Sequence, residues 1–188
     1  IGTSMAGGAA IWAAAQTPER VSGLVLVDAF YRGRSKWQER VLFTAAFTRP
    51  WGPATWLSYY KSLYPTRPPQ DFAAYTAALK KNLSEPGRME AVLKMLFASK
   101  EASAARLKEV RAPSLVLMGG KDRDFKDPED EARTLAQALG TTYTLIPDAG
   151  HYPHAEMPEI AAPLVIDFLH SLSLPQAATP QKEPAYVA

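Results

Sequence analysis

Three residues in this sequence have the side chains that nucleophilic acyl transfer requires: Ser4, Asp122 and His151. In such a set the histidine takes the proton of the serine hydroxyl as the oxygen attacks a carbonyl carbon. The carboxylate holds the imidazole in the required tautomer and stabilises its charged form. Each of the three residues also lies in a segment rich in glycine or turn-forming residues, where a side chain can be exposed for reaction.

The serine lies in segment 2–6 (GTSMA), which has small residues two positions before and two positions after Ser4. This spacing is typical of a sharp strand-to-helix turn, in which a strained backbone passes close to its neighbours. The second small residue is Ala6, where the strict pattern has glycine. The N–H of Met5, at the start of the following helix, is the expected donor to a developing oxyanion. A glycine–serine turn that only caps a helix is the alternative.

The candidate acid, Asp122, follows an apolar strand pattern and two glycines. Functional groups in α/β sheets collect at the carboxyl ends of the strands, which favours Asp122 as the residue that orients the histidine. The same loop also contains Asp124 and Asp127, and Asp28 ends an earlier strand pattern. The choice among these carboxylates is open on the residues alone, and Asp122 could instead cap a turn.

The candidate base, His151, follows a strand pattern and Gly150, in segment 147–159 (PDAGHYPHAEMPE) before the last helix. A histidine in such a loop can project over the edge of the sheet. His154 is expected to face solvent or the loop, and His170 is expected to be a helix-end residue.

Strand and helix patterns alternate at both ends of the chain, which predicts an α/β fold with a parallel sheet. The strand patterns cover about 21–27, 114–118 and 142–146. The helix patterns cover 6–16, 128–139 and 158–172. Three strands leave a parallel sheet half open, so we expect further strands upstream of Ile1. The proline- and glutamine-rich tail, 174–188, is predicted to be disordered.

Residues 31–109 interrupt this alternation with helical patterns alone. Those patterns cover about 34–47, 53–63, 70–82, 86–98 and 101–109. Aromatic residues are dense between Trp37 and Tyr64, where they could line a pocket for an acyl or aromatic group or pack the helices together. Arg32 and Arg34 could meet an anion, although solvation at the surface is the alternative.

The composition excludes several classes of protein. The net charge is +2, from 21 basic and 19 acidic residues. The sequence has no block of basic residues of the kind that would predict a nucleic-acid partner. The sequence has no cysteine, which excludes disulfides, thiolate metal sites and a cysteine nucleophile and is typical of a reducing compartment such as the cytoplasm. No apolar stretch approaches the roughly 20 residues of a membrane span, and the N-terminus lacks a signal-peptide pattern. We therefore expect a cytoplasmic protein with no membrane partner.

Segments 2–8 (GTSMAGG), 115–122 (LVLMGGKD) and 147–159 together resemble the α/β-hydrolase superfamily, in particular its esterase-like members with a helical lid. The order serine, aspartate, histidine is the order in that superfamily. The resemblance implies a hydrolase core formed by 1–30 and 110–173, with residues 31–109 as the lid inserted between them.

The resemblance further implies that Ser4 is the nucleophile, Asp122 the acid and His151 the base, with Met5 in the oxyanion hole. The expected activity is hydrolysis of carboxylic esters with small to medium apolar acyl groups, without metal or cofactor. Hydrolysis of a C–C bond by the same triad is one alternative, and a receptor or inactive scaffold is another. The second oxyanion donor and the first half of the fold would lie upstream of Ile1, so these residues alone are expected to be inactive.

Overall fold

The computed structural model describes residues 1–33 and 35–172. The tail predicted at 174–188 and the side chain of Arg34 lie outside these ranges. Within them, no helix combines the length and the apolar character that crossing a membrane would require. The elements, in chain order, are β1 (Gly2–Thr3), α1 (Met5–Gln16), β2 (Leu24–Val27), α2 (Trp37–Phe47), α3 (Gly52–Lys61), α4 (Phe72–Leu83), α5 (Arg88–Leu96), α6 (Glu101–Ala105), β3 (Ser114–Gly119), α7 (Pro128–Leu139), β4 (Tyr143–Ile146), α8 (Pro153–Glu156) and α9 (Pro158–Ser171).

The four strands form one parallel sheet in the order β1-β2-β3-β4. The sequence predicted three of them, and the fourth is β1, which comes directly before Ser4. Gly2 of this strand is paired with Leu26 of β2. A strand of two residues is too short to show an alternation of apolar and polar residues, so its one sign in the sequence is the strand-to-helix turn pattern around Ser4.

Both faces of the central strands are buried, which explains their uninterrupted apolar sequences. Alternate side chains point to opposite faces of a sheet. Leu24 and Leu26 of β2 belong to the apolar cluster that contains residues of α1 and α7. Val25 and Val27 belong to a second cluster, against which residues of α9 pack. The sheet is thus a central layer between helices, and its strand ends define one edge where loops meet.

The helices α2–α5 have a hydrophobic cluster of their own. Phe47, Leu83 and Met89 form its buried centre, and Trp56 is one of the aromatic residues that pack against them. Some of the aromatic residues between Trp37 and Tyr64 therefore pack the helices together, which is one of the two roles expected from the sequence. Trp37 is an exception, since 70% of its surface is exposed.

Candidate active site

Ser4 has a strained backbone at the end of β1. Its φ of 56° lies in the left-handed region, a conformation that costs a residue with a side chain about 1–3 kcal/mol. Three hydrogen bonds of 3.0 Å hold it there: the Ser4 N–H donates to the carbonyl of Val27, and the Ser4 carbonyl accepts from the N–H groups of Gly7 and Phe30. Neighbouring elements thus compensate the strain and fix the direction in which the hydroxyl points.

Glycines allow the close packing around this turn. A Cβ atom on Gly7 would lie 2.3 Å from the Cβ of Ala29, and one on Gly2 would lie 2.8 Å from the Cβ of Ala10. Both distances are shorter than real carbon contacts. Helix α1 can therefore approach the residues that follow β2 because Gly7 lacks a side chain, and it can approach β1 because Gly2 lacks one.

The hydroxyl oxygen of Ser4 lies 2.8 Å from Nε2 of His151. The His151 ring is buried, with 1% of the residue exposed, and its backbone N–H donates to the carbonyl of Leu63 at 3.1 Å. Its Nδ1 lies 2.6 Å from Oδ2 of Asp122. The structure thus brings all three predicted residues into one continuous chain of hydrogen bonds, although 147 positions separate the serine from the histidine.

The other carboxylates in this region are arranged differently from Asp122. Oδ2 of Asp124 lies 3.9 Å from Nδ1 of His151, beyond hydrogen-bond distance, and it accepts a hydrogen bond from the Tyr59 hydroxyl. The backbone N–H of Asp124 donates to Oδ1 of Asp122 at 2.9 Å. Asp127 caps α7 by accepting a hydrogen bond from the N–H of Asp130. Distance therefore favours Asp122 over these two alternatives.

Asp28, the remaining alternative, is fully buried beside Asp122 and His151. Its Oδ1 accepts from the N–H of Gly119 at 2.9 Å, and its Oδ2 has no hydrogen-bond partner among the residues described. Burial raises the pKa of Asp28 well above its ordinary value, and the negative charge of Asp122 raises it further. A neutral carboxyl is the form that burial beside Asp122 favours.

Asp28, Asp122 and His151 are the one group of potential metal ligands found among the described residues, with atoms within 4.8 Å of one another. The 2.6 Å separation between His151 Nδ1 and Asp122 Oδ2 fits a shared proton. Hydrogen bonding therefore accounts for this arrangement without an ion.

Glu156 is a site residue that sequence reasoning did not single out. It is buried, with 1% exposed, and its carboxylate accepts from the N–H groups of Thr66 at 2.6 Å, Arg67 at 3.0 Å and Gly150 at 2.7 Å. Gly150 directly precedes His151, so Glu156 joins the histidine loop to the segment after α3. Glu156 lies within the motif 147–159, but its partners near residue 66 are too distant in sequence to show a local pattern.

The start of α1 leaves backbone donors free near the serine. Within the described residues, no carbonyl or side chain accepts a hydrogen bond from the Met5 N–H. The first N–H groups of any helix lack partners inside the helix and are oriented to receive an anion. Met5 also lines the cavity that contains Ser4.

A cavity of about 370 Å³ opens over Ser4, between the edge of the sheet and the helices α2, α3 and α5; we call it the cleft. Its lining residues from the sheet and its loops are Ser4, Met5, Phe30, Asp124, His151 and Tyr152. Those from the helical segment and its ends are Ser35, Glu39, Phe43, Trp56, Tyr59, Leu63, Met95, Leu96 and Lys100. The walls are mainly apolar and aromatic, as in pockets for small organic molecules.

Other residues flagged in the sequence lie away from the cleft. His154 and His170 are exposed, and neither lines the cleft. Arg32 forms an ion pair with Glu131, with Nη2 and Oε2 2.6 Å apart. The pairing of Arg32 accounts for its position without a bound anion.

Comparison with known proteins identifies the family. The sequence profile of the alpha/beta hydrolase family matches residues 1–164. The chain belongs to this family. No curated protein sequence matches the chain significantly.

Solved structures resemble this alpha/beta hydrolase in fold. One is 2-hydroxy-6-oxo-6-phenylhexa-2,4-dienoate hydrolase from Rhodococcus sp. strain RHA1 (TM-score 0.73, 17% identity, covering 90% of this chain and 63% of the other). Another is the enol-lactonase from Burkholderia xenovorans LB400 (TM-score 0.69, 20% identity, 90% and 64% covered). A third is an alpha/beta hydrolase from a Medee basin deep-sea metagenome library (TM-score 0.70, 17% identity, 92% and 65% covered). The chain thus spans less than two thirds of the length of each, and the similarity concerns the fold.

Proposed function

We propose that this alpha/beta hydrolase is a serine hydrolase that cleaves carboxylic esters through Ser4, His151 and Asp122. The observation that carries the proposal is the continuous hydrogen-bond chain, with 2.8 Å from Ser4 to His151 and 2.6 Å from His151 to Asp122. It has the geometry of a nucleophile, a base and a group that orients the base. The strained backbone of Ser4 supports the same conclusion, since such strain concentrates at reactive residues.

In the proposed reaction, His151 Nε2 accepts the proton of Ser4 as the serine oxygen attacks the ester carbonyl. Asp122 keeps a proton on Nδ1 and stabilises the imidazolium that forms. The Met5 N–H donates to the oxyanion, and one such donor contributes about 2.7–4 kcal/mol in comparable sites. His151 then protonates the leaving alcohol, and water hydrolyses the acyl-enzyme by the same proton transfers in reverse order.

The cleft supports a substrate with a small to medium apolar acyl group. Phe43, Trp56, Leu63 and Leu96 place aromatic and aliphatic carbon along its walls. Burial of apolar substrate surface against them contributes about 25 cal/mol per Å². The volume of about 370 Å³ is near the lower end of the range for ligand pockets.

We propose further that residues upstream of Ile1 complete the sheet and supply a second oxyanion donor. The chain spans less than two thirds of the length of each similar structure named above, which supports this proposal. The proposal predicts that the 188 residues expressed alone are less active than the protein as its gene encodes it.

Labelling with a fluorophosphonate tests the proposed nucleophile. The protein as its gene encodes it should be labelled once, at Ser4, and Ser4→Ala should abolish the labelling. Ser171→Ala, at an exposed serine on α9, is the matched control and should label as the parent protein does. A folded parent protein that is not labelled would instead support a receptor or non-catalytic scaffold.

Esters of p-nitrophenol with acyl chains of increasing length then test the reaction and the acyl group. We expect activity to rise with chain length until the cleft is filled, and then to fall. Labelling by the fluorophosphonate without hydrolysis of any ester in the series would favour the alternative reaction, hydrolysis of a C–C bond beside a carbonyl.

A further inference from the structure

Lys100 stands at the start of α6 and is the one lysine or arginine among the described residues that line the cleft. Its Nζ lies 5.9 Å from the centre of the Phe30 ring. The same ring lies 5.4 Å from the ring of His151, measured between centres. The ammonium group and the proposed base therefore both neighbour Phe30, and Lys100 lines both the cleft and an adjoining pocket that contains Ala98.

The ammonium group of Lys100 is poorly compensated by the protein. No carboxylate of the described residues lies within 4.0 Å of it, and its one hydrogen bond among these residues goes to the carbonyl of Ala98, at a long 3.4 Å. Lys100 is half-buried, and burial lowers its pKa. A partly buried charge without a counter-charge is unfavourable, and an anion in the cleft would relieve that cost.

The two non-triad carboxylates of the cleft, by contrast, have donors within the protein. Oε2 of Glu39 accepts from the backbone N–H of Lys36 at 2.9 Å, at the start of α2. Oδ2 of Asp124 accepts from the Tyr59 hydroxyl. The cleft thus offers one cation whose hydrogen-bonding capacity is largely unused, beside walls of apolar carbon.

We infer that the substrate of the Ser4 site carries a carboxylate, which pairs with Lys100 while the reacting carbonyl lies at Ser4. This inference rests on the proposed function and specifies its substrate: an ester, or another hydrolysable carbonyl compound, of a carboxylic acid. The carbon chain between the two groups lies along Phe30. The pairing with Lys100 fixes the register of the substrate, so the reacting carbonyl rather than the distal carboxylate meets the nucleophile.

Two p-nitrophenyl esters that differ only in charge test the inference. The first is the mono-p-nitrophenyl ester of glutaric acid, which has a free carboxylate, and the second is its methyl ester. We expect the protein as its gene encodes it to have a higher kcat/KM for the anionic ester. Lys100→Met should lower that kcat/KM by about tenfold or more, the value of a hydrogen bond to a charged group, and leave the neutral ester nearly unchanged.

Controls separate the charge of Lys100 from other effects. Lys108→Met removes one positive charge outside the cleft and should leave the ratio of the two kcat/KM values as in the parent protein. Lys100→Arg keeps the charge and should retain most of the preference for the anionic ester. This variant also tests the inference if Lys100→Met does not fold stably. Raised ionic strength should weaken the preference in the parent protein and have little effect in Lys100→Met.

Failure of this inference can be distinguished from failure of the proposed function. Equal kcat/KM ratios in the parent protein, Lys100→Met and Lys100→Arg, with both esters hydrolysed through Ser4, would overturn the role of Lys100 alone. Absence of fluorophosphonate labelling and of hydrolysis of either ester would overturn both.

Discussion

A carboxylate oxygen of Asp28 lies within 4.8 Å of one of Asp122 and of a ring nitrogen of His151. The two aspartates follow neighbouring strands, β2 and β3, whose carboxyl ends share one edge of the sheet. Asp122 is hydrogen-bonded to His151, whereas Asp28 binds the backbone N–H of Gly119. The same type of side chain therefore has different chemical surroundings on adjacent strands.

Substitution of the three nearby aspartates should separate their roles. Asp122→Asn should lower kcat by about 10⁴-fold, because an amide favours the wrong tautomer of His151. Asp28→Asn and Asp124→Asn should each cost far less, since neither carboxylate is hydrogen-bonded to the ring. Ester hydrolysis by purified variants measures these losses.

The ranking of the three variants decides which carboxylate acts as the acid. A greater loss in Asp28→Asn or Asp124→Asn than in Asp122→Asn would assign that role to another aspartate. Circular dichroism spectra of all three variants control for misfolding.

The raised pKa of Asp28 predicts a dependence of stability on pH. The folded state holds the Asp28 proton more tightly than the unfolded chain, in which the pKa is near 3.8. The contribution of Asp28 to the free energy of unfolding is therefore greatest below that value and decreases as pH rises through the folded pKa. Asn has the shape of the protonated acid and cannot ionise, so Asp28→Asn should reduce this decrease at pH values above 3.8.

Urea denaturation at several pH values measures this effect. Asp167→Asn, on the exposed side of α9, is the matched control and should follow the parent protein at each pH. Parallel curves for Asp28→Asn and the parent protein would show that Asp28 does not retain its proton in the folded state.

The sequence predicted the α/β fold and the family correctly, because buried parallel strands and the motifs near Ser4 and His151 leave local patterns. Other features depend on residues far apart in the chain. The helical pattern around Lys100 does not show which way its side chain points. The partners of Glu156 are 89 and 90 positions away, and the proximity of Asp28 to His151 depends on the pairing of β2 with β3. Such contacts follow only from the three-dimensional arrangement.

Gly7 should not tolerate a side chain. The methyl group of Gly7→Ala would approach Ala29 to 2.3 Å, so α1 must shift away from the residues after β2. Overpacking of this kind costs about 1–3 kcal/mol in the free energy of unfolding. The displaced helix also moves the Met5 N–H, so kcat should fall together with stability.

Chemical denaturation and ester hydrolysis together test the Gly7 prediction. Ala9→Ser, at an exposed position of the same helix, should change both quantities little. Unchanged stability in Gly7→Ala would show that the turn can relax without cost.

Glu156 should affect the rate through the position of His151. Glu156→Ala leaves the N–H groups of Thr66, Arg67 and Gly150 without their acceptor. An unsatisfied buried donor costs about 1–3 kcal/mol, so the free energy of unfolding should fall by several kcal/mol. Because Gly150 precedes His151, the imidazole should lose its alignment with Ser4 and kcat should fall more than KM changes.

Glu159→Gln is the matched control: Glu159 pairs with Arg67 at the exposed surface, and its loss should change neither kcat nor stability measurably. A parallel rise in KM with unchanged kcat in Glu156→Ala would assign Glu156 to substrate binding instead of the positioning of His151.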